Sequence, residues 1–370
     1  MSAGRFFRRS IADLVPYEPG KPVEEVQREL GLERVVKLAS NEGPFGPFPS
    51  ALEALGRARN ELNRYPDGGA WELRSALAQL HGVRFEQIAV GAGADGVIDC
   101  LSQAVLDEGD EVVCGWPSFP SYVLDAIKLG ANPIRVPLRD HRYDLDGLLG
   151  AITARTKLVY VCHPNNPTGT TNTRAELDAF IARVPDHVLT VIDQAYFEYI
   201  DDPDYPDAVE EYFKTGARVI VLRTFSKIYG LAGLRVGYGV APEDVVTEVG
   251  KVRRAFDIST AAQVAALASL GDTAELARRR RECTAERERV VGILTAAGFD
   301  VARPAVANFV YAETGSDARA VFDALLHEGV IVRPLNAFGS ETAIRVTIGT
   351  ADENDFLARA LERVSAATTN

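Results

Sequence analysis

Residues 219–235 read VIVLRTFSKIYGLAGLR and pass from an apolar run into a polar loop within a few positions. Residues 219–222 are continuous and mostly β-branched, which is typical of a strand covered on both faces of a parallel sheet. Four side chains that could bind a ligand follow this run: Thr224, Ser226, Lys227 and Arg235. Because open α/β sheets bind ligands beyond the carboxyl ends of their strands, this boundary indicates both a fold class and a candidate site.

The same kind of apolar run recurs along the chain. Further short runs rich in Val and Ile occur at residues 88–90, 111–114, 158–162, 188–192 and 236–240. Amphipathic helical stretches lie between most of them, at residues 96–105, 122–129 and 174–182. This alternation predicts an α/β domain with a mostly parallel sheet and helices on both of its faces.

The pattern changes after Pro242. A long helical region extends to about Ala297, with Gly271 as a candidate break, and short strands alternate with helices from there to the end. This part is typical of a smaller α+β domain. We therefore predict an arm or part of the small domain at residues 1–40, a large domain at 41–250 and a small C-terminal domain at 251–370.

Composition excludes several classes of function. The net charge of −12 argues against a nucleic-acid partner, because no excess of basic residues is present to neutralise phosphates. The four cysteines and five histidines are scattered without metal-ligand spacing, so we predict no metal site. Neither a leader sequence nor a long apolar segment is apparent, which predicts a cytoplasmic protein without a membrane partner.

Polar clusters follow five of the predicted strands, each at the point where the strand ends. They occupy residues 91–95, 116–119, 163–169, 193–196 and 224–227. Since the carboxyl ends of parallel strands meet at one edge of a sheet, these clusters should converge on one site.

The first cluster, with Gly96, matches the pattern G-x-G-x-x-G after a strand. A dinucleotide site would also need an acidic residue about 20 positions further on, at the end of the next strand. Gly115 and Trp116 stand there instead, so a dinucleotide-dependent oxidoreductase is disfavoured. What remains is either a tight strand-to-helix turn or a helix N-terminus that binds a phosphate.

Asp193 ends an apolar run, and a carboxylate buried there is costly without a cationic or hydrogen-bonding partner. A protonated pyridine nitrogen would be such a partner, and an N-cap role for Asp193 is the alternative. Asn166, in a turn with two prolines, could donate to an oxygen of the same ligand.

Lys227 follows a strand and precedes a glycine-rich stretch, whereas an ordinary lysine lies on the surface. A lysine that forms an imine must lose its proton near neutral pH, and burial beside Arg235 would lower its pKa. The guanidinium of Arg235 and the hydroxyls of Thr224 and Ser226 suit a phosphate group. The sequence thus predicts a lysine that binds a phosphorylated ligand covalently.

Together these motifs resemble the signature of the fold-type-I pyridoxal-phosphate aminotransferases. The resemblance covers nearly the whole chain and rests on the order of five motifs: residues 91–95, 166–169 (NPTG), 193–196 (DQAY), Ser226-Lys227 and Arg235. Residues 15–22, 38–47, 64–67 and 343–350 are similar to the histidinol-phosphate aminotransferase branch in particular. The resemblance implies an aspartate-aminotransferase-like fold and the cofactor pyridoxal 5'-phosphate.

The resemblance also implies roles for individual residues. Lys227 would bind the cofactor covalently and transfer the proton, Asp193 would pair with the pyridine nitrogen, and Phe119 would stack on the ring. Asn166 and Tyr196 would contact the phenolic oxygen. The phosphate would be held by Ala94, Asp95, Thr224, Ser226 and Arg235.

For the substrates, the resemblance implies binding by Tyr17, Asn41, Arg333 and Arg345. Tyr65 would reach the cofactor phosphate of a neighbouring subunit, which implies a homodimer with shared active sites. The implied reaction transfers the amino group of L-histidinol phosphate to the 2-oxo acid 2-oxoglutarate.

Some positions depart from the commonest pattern of the branch, among them Gly43, Gln194 and Phe119. Residues 116–122 (WPSFPSY) are also similar to aromatic amino-acid aminotransferases. A phenylalanine aminotransferase is therefore the alternative, followed by a decarboxylase on the same fold.

Overall fold

The structure is a computed structural model that describes residues 7–12, 14 and 21–368. Within these residues the chain forms thirteen strands and twelve α-helices. The strands are β1 Val36–Lys37, β2 Ile88–Gly91, β3 Glu111–Trp116, β4 Asn132–Pro137, β5 Thr156–Cys162, β6 Leu189–Asp193, β7 Val219–Thr224, β8 Gly237–Val240, β9 Asp300–Val301, β10 Phe309–Glu313, β11 Val330–Ile331, β12 Arg333–Pro334 and β13 Ala343–Thr347. The helices are α1 Val23–Leu30, α2 Pro49–Ala58, α3 Trp71–His81, α4 Gly93–Val105, α5 Ser121–Leu129, α6 Leu145–Ala151, α7 Arg174–Ile181, α8 Glu243–Val252, α9 Thr260–Leu270, α10 Thr273–Ala296, α11 Ala318–His327 and α12 Ala351–Thr368.

Seven strands form the large sheet in the order β2-β8-β7-β6-β5-β3-β4. Every neighbouring pair from β7 to β4 is parallel, and only β8 is antiparallel to its neighbours. The central strands β6 and β7 are buried along their whole length, as the continuous apolar runs predict. The α/β sheet predicted from the sequence is therefore present.

One strand of this sheet, β4, was not predicted. It contains two prolines, Pro133 and Pro137, and most of its residues are at least partly exposed. Proline is tolerated at the edge of a sheet, where one side of the strand needs no hydrogen-bonding partner. Neither continuous apolar residues nor clear alternation marks such a strand in the sequence.

The C-terminal part forms a second, antiparallel sheet of four strands in the order β12-β13-β10-β9. The short strand β1 leaves the N-terminal region and pairs with β11, which precedes β12. The helical region predicted after Pro242 is divided at two places and not only near Gly271. New helices begin after Ser259 and Asp272, whose side chains each accept a hydrogen bond from a first-turn N–H group.

The domain boundaries at residues 40 and 250 stay a prediction, as does the cytoplasmic location. Among the described residues, no helix combines the length and the apolar character needed to cross a membrane.

Candidate active site

A cavity of about 360 Å³ opens at the carboxyl ends of β5, β6 and β7, beside strands β12 and β13. All the predicted site residues except Tyr17 and Tyr65 line it. These are Asn41, Ala94, Asp95, Phe119, Asn166, Asp193, Tyr196, Thr224, Ser226, Lys227, Arg235, Arg333 and Arg345. Parallel pairing brings the strand ends together, so residues far apart in the chain share one cavity.

Two predicted site residues lie elsewhere. Tyr17 is outside the described residues. Tyr65 is 82% exposed and stacks on Phe256 with ring centroids 4.6 Å apart, away from the cavity of its own chain. A role for Tyr65 in a neighbouring subunit stays a prediction.

One end of the cavity is formed by the N-terminus of α4. The residue before this helix, Ala92, provides no side-chain cap, so the first N–H groups of the helix have no side-chain acceptor there. Such groups bind anions well, because they carry the positive end of the helix dipole. Ala94 and Asp95 lie in this first turn, and Oδ1 of Asp95 accepts a hydrogen bond of 2.5 Å from Ser121.

Two glycines allow the backbone to approach closely at this end. Gly93 has a φ of +81°, and a Cβ added there would lie 2.8 Å from Nη2 of Arg235. A Cβ added at Gly237, the first residue of β8, would lie 2.3 Å from the backbone nitrogen of Ala94. Only glycine fits either position, so helix α4 and Arg235 can enclose one small group from two sides.

Arg235 faces this helix N-terminus from the loop after β7. It adopts a left-handed backbone conformation with φ of +56°. Its Nη1 donates to Oγ of Ser226 over 3.3 Å, and its Nη2 donates to the carbonyl of Ala92 over 3.4 Å. Oγ1 of Thr224 in turn accepts a hydrogen bond from the N–H of Ser226. A guanidinium, two hydroxyls and helix N–H groups thus form an anion-binding end.

Asp193 lies at the floor of the cavity, at the end of β6, and is 4% exposed. Oδ2 accepts a hydrogen bond of 2.7 Å from the phenol of Tyr122, and Oδ1 accepts one of 3.0 Å from the N–H of Ala195. Burial raises the pKa of the Asp193 carboxyl, while these two hydrogen bonds favour its charged form. A cationic ligand atom would complete the stabilisation of this carboxylate.

The amine of Lys227 lies between these two regions. Its Nζ donates to the carbonyl of Asn41 over 3.3 Å and lies 5.4 Å from the centre of the Tyr196 ring. Burial lowers the pKa of Lys227 to about 8, and the positive charges of Arg345 and Arg235 act in the same direction. About half of this lysine is therefore unprotonated near pH 8, and the neutral form is the one that a nucleophilic amine requires.

Asn41 connects the two sheets across the cavity. It is buried with a left-handed φ of +54°. Its Nδ2 donates to the phenol oxygen of Tyr196 over 3.1 Å, and its N–H donates to Oγ1 of Thr347 in β13. Its carbonyl accepts from Nδ2 of Asn308 as well as from Lys227. A strained non-glycine residue with this many partners is held by its surroundings, as is common at functional sites.

The other end of the cavity carries two arginines on neighbouring strands. Arg333 of β12 and Arg345 of β13 are direct partners in the register of this antiparallel pair, so their side chains leave the same face of the sheet. Arg345 donates to Oδ1 of Asn166 and, over 2.9 Å, to the carbonyl of Ala39. Like charges directly opposite one another are unfavourable, and an anion bound between them offsets that repulsion.

Tyr122 and Phe338 take part in this site but were not among the predicted site residues. Tyr122, the partner of Asp193, appears in the sequence as the last residue of the stretch 116–122 and the first of a predicted helix, and neither position indicates a contact with Asp193. Phe338 lines the cavity from a short 3₁₀ turn, and no motif surrounds it. Its place between the strands of the two arginines is the only available signal.

The site fits one kind of ligand in particular: an aromatic ring that carries a phosphate, a protonated ring nitrogen and a carbonyl carbon. The N-terminal turn of α4 and the guanidinium of Arg235 both line the cavity and supply N–H donors that suit a phosphate group. The buried Asp193 calls for a cation, and the amine of Lys227 can react with a carbonyl carbon.

Fold and site together define a protein of the aminotransferase type. A family model described as aminotransferase class I and II matches residues 33–361, and the chain belongs to this family. The predicted family membership is thereby confirmed.

Among curated proteins, the histidinol-phosphate aminotransferase of Moorella thermoacetica is 45% identical over 97% of this chain and 93% of its own length. Among solved structures, histidinol-phosphate aminotransferase from Sinorhizobium meliloti in complex with pyridoxal-5'-phosphate superposes with a TM-score of 0.88 at 32% identity, over 98% of both chains. A double mutant of Thermus thermophilus aspartate aminotransferase gives a TM-score of 0.85 at 26% identity, over 97% of this chain and 99% of that one. The predicted aspartate-aminotransferase-like fold is confirmed by these similarities.

Proposed function

We propose that the chain is a pyridoxal-phosphate-dependent aminotransferase that transfers the amino group of L-histidinol phosphate to 2-oxoglutarate. The observation that carries this proposal is the shared cavity of Lys227, the buried Asp193 and the anion-binding end at α4. The substrate is supported by relatives of 40–45% identity over nearly the full chain, which are named histidinol-phosphate aminotransferases.

Each polar group of pyridoxal phosphate would have a partner among the residues that line the cavity. The N-terminal turn of α4 and Arg235 would hold the phosphate, and Asp193 would hold the pyridine nitrogen in its protonated form. Phe119 would cover one face of the ring, while Asn166 and Tyr196 would bind the phenolic oxygen. The bound cofactor supplies the electron sink that stabilises negative charge at the reacting carbon of the substrate.

Lys227 would serve twice in this reaction. As an unprotonated amine, Nζ would hold the cofactor covalently in the resting enzyme. Once the amino donor takes that place, Nζ would act as the base that removes and returns a proton, and its pKa of about 8 suits this task at neutral pH. The carbonyl of Asn41, 3.3 Å away, would orient the amine while it carries the proton.

The arginine pair would bind the anionic groups of the substrates. Histidinol phosphate carries a phosphate, and glutamate, the amino form of the acceptor, carries two carboxylates. Arg345, which donates a hydrogen bond to Asn166 of the proposed cofactor site, suits the anionic group nearest the reacting carbon. Arg333, one strand further out, suits a more distant anionic group.

We further propose a homodimer with shared active sites, in which Tyr65 reaches the cofactor phosphate of the partner subunit. Tyr65 stacks on the exposed Phe256, and Trp71, Leu62 and Leu52 are further large apolar side chains that are exposed. Large exposed apolar side chains are common where a second subunit binds. Mixing inactive Lys227→Ala subunits with Tyr65→Phe subunits should restore activity, because each hybrid dimer has one intact site. If the mixture shows no restored activity, the proposal of shared active sites is wrong.

Spectra and kinetics test the proposed reaction. The purified enzyme should be yellow through an absorption band that Lys227→Ala lacks. The ratio of kcat/KM for histidinol phosphate to kcat/KM for phenylalanine should be well above one. A ratio well below one would favour the aromatic amino-acid aminotransferase, and release of carbon dioxide without consumption of 2-oxoglutarate would indicate the decarboxylase.

A further inference from the structure

Phe338 lines the cavity, but the proposed cofactor contacts do not involve its aromatic ring. This residue is 5% exposed and lines the cavity together with Arg333 and Arg345. Phe119, the other phenylalanine of the lining, follows β3 at the large sheet. Phe338 therefore faces the part of the cavity where the proposed function places the substrate and not the cofactor.

Phe338 lies in the chain between the two arginines. The turn that carries it, the 3₁₀ helix Asn336–Phe338, connects β12 with β13, the two strands of Arg333 and Arg345. The N–H of Phe338 donates to the carbonyl of the buried Leu335 over 2.8 Å. Since Phe338 lines the cavity together with both arginines, its ring supplies an apolar part of the wall at the end that carries the arginine pair.

The turn is supported from both sides of the cavity. Phe338 packs in a small apolar cluster with Leu335, Tyr311, Ala302 and Ala343. After it comes Gly339 with a φ of +83°, and a Cβ added there would lie 3.6 Å from Nε1 of Trp116 at the end of β3. These contacts hold the ring in place before a substrate arrives, so binding against it costs little ordering entropy.

We infer that Phe338 is a specificity-determining residue whose ring packs against the flat ring of the amino donor. The inference rests on the proposed function and names the donor class for that site: a molecule with an imidazole or phenyl ring near an anionic group. Aromatic pairs gain free energy beyond the apolar area they bury. Glutamate has no ring, so the two half-reactions should depend on Phe338 to different degrees.

Single-turnover kinetics of the cofactor-loaded enzyme test this inference with one donor at a time. The variants Phe338→Ala and Phe338→Leu are compared with Phe322→Leu, a buried phenylalanine of α11 outside the cavity. With histidinol phosphate, Phe338→Ala should lower the specificity constant about 10- to 100-fold, as expected for the loss of a buried aromatic contact. The substitution should mainly raise the donor concentration needed for half-saturation and should change the limiting rate less.

The remaining comparisons complete the expected result. Phe338→Leu should fall between wild type and Phe338→Ala, since it keeps apolar area without a flat face. With glutamate, both variants should stay within about threefold of wild type, and Phe322→Leu should match wild type for both donors. Equal losses with histidinol phosphate and glutamate, or no loss with either, would overturn the inference.

The same assay separates this inference from the proposed function. If wild type prefers phenylalanine, the proposed donor is wrong. The inference then requires that Phe338→Ala lowers the specificity constant for phenylalanine as described for histidinol phosphate. If histidinol phosphate is the donor and Phe338→Ala handles it normally, only the inference fails. An enzyme that accepts neither ring-bearing donor contradicts both.

Discussion

The phenol of Tyr122 donates a hydrogen bond of 2.7 Å to Oδ2 of Asp193. Tyr122 is 1% exposed, and its ring stacks on that of Tyr160 with centroids 4.2 Å apart. The bond therefore joins two buried groups that packing holds in place. Burial raises the pKa of Asp193, and the bond from Tyr122 opposes this rise, so the tyrosine helps to keep the carboxylate ionised.

Tyr122→Phe should weaken the site without unfolding it. A hydrogen bond to a charged group contributes about 1.5–3 kcal/mol, so kcat should fall at least about tenfold at saturating cofactor, and the Kd for pyridoxal phosphate should rise. Steady-state kinetics and a cofactor titration measure both effects. Tyr160→Phe is the control, because its ring occupies the same stack and its hydroxyl is not among the described partners of Asp193. Equal effects of the two substitutions would contradict a specific role for the hydrogen bond between Tyr122 and Asp193.

Gly93→Ala should impair phosphate binding specifically. The added Cβ would lie 2.8 Å from Nη2 of Arg235 at a backbone φ of +81°, a conformation that costs a non-glycine residue about 1–2 kcal/mol. We expect the Kd for pyridoxal phosphate to rise at least about tenfold, as measured by absorption titration of the cofactor-free enzyme. Gly233→Ala is the matched control, since nothing lies within 4 Å of a Cβ added there. A cofactor affinity that is the same in both variants would contradict the assigned phosphate site.

Covalent attachment of the cofactor to the cofactor-free enzyme should follow the neutral form of Lys227. With a pKa of about 8, roughly a tenth of this amine is unprotonated at pH 7 and roughly nine tenths at pH 9. The attachment rate should therefore rise about tenfold over this interval and level off above it. Stopped-flow absorption measures this rate, and Lys227→Ala should show no attachment. A rate that still climbs steeply beyond pH 9.5 would indicate an ordinary lysine.

Acid should destabilise the fold through His81, whose Nε2 lies 2.9 Å from the phenol oxygen of Tyr238. Burial, with the nearby Arg223, lowers the pKa of His81 to about 4, so the unfolded chain takes up this proton first as the pH falls. The contribution of the neutral His81 to the unfolding free energy is present above about pH 6.5 and is lost as the pH falls towards 4. Between pH 7.5 and 5.5 this one group should cost about 1.4 kcal/mol of unfolding free energy.

Urea titrations at pH 7.5 and 5.5 test this prediction by comparing His81→Phe with wild type. Between these pH values, the variant should lose about 1.4 kcal/mol less unfolding free energy than wild type. His187→Gln, at an exposed histidine, should retain the wild-type loss. An unchanged pH dependence in His81→Phe would assign the acid sensitivity to other groups.

Much of the site was predictable because its signals are local in the chain. Asp193, Thr224 and Lys227 each stand directly after an apolar run, and the end of a buried strand is visible in a short window of sequence. The glycines near Ala94 and the position of Arg235 are local signals of the same kind. The edge strand β4, with its prolines and exposed residues, lacked such a signal and was missed.

The sequence by itself determined the α/β class, the edge of the sheet that binds the ligand and the lysine that reacts there. Periodicity and strand-end chemistry depend only on neighbours along the chain. The tertiary structure alone decided that Tyr122 supports Asp193, that Asn41 joins Lys227 to β13, and that Phe338 lines the same cavity as Lys227. These relationships arise where segments distant in sequence pack against each other, and packing geometry at such contacts leaves no periodic trace in the chain.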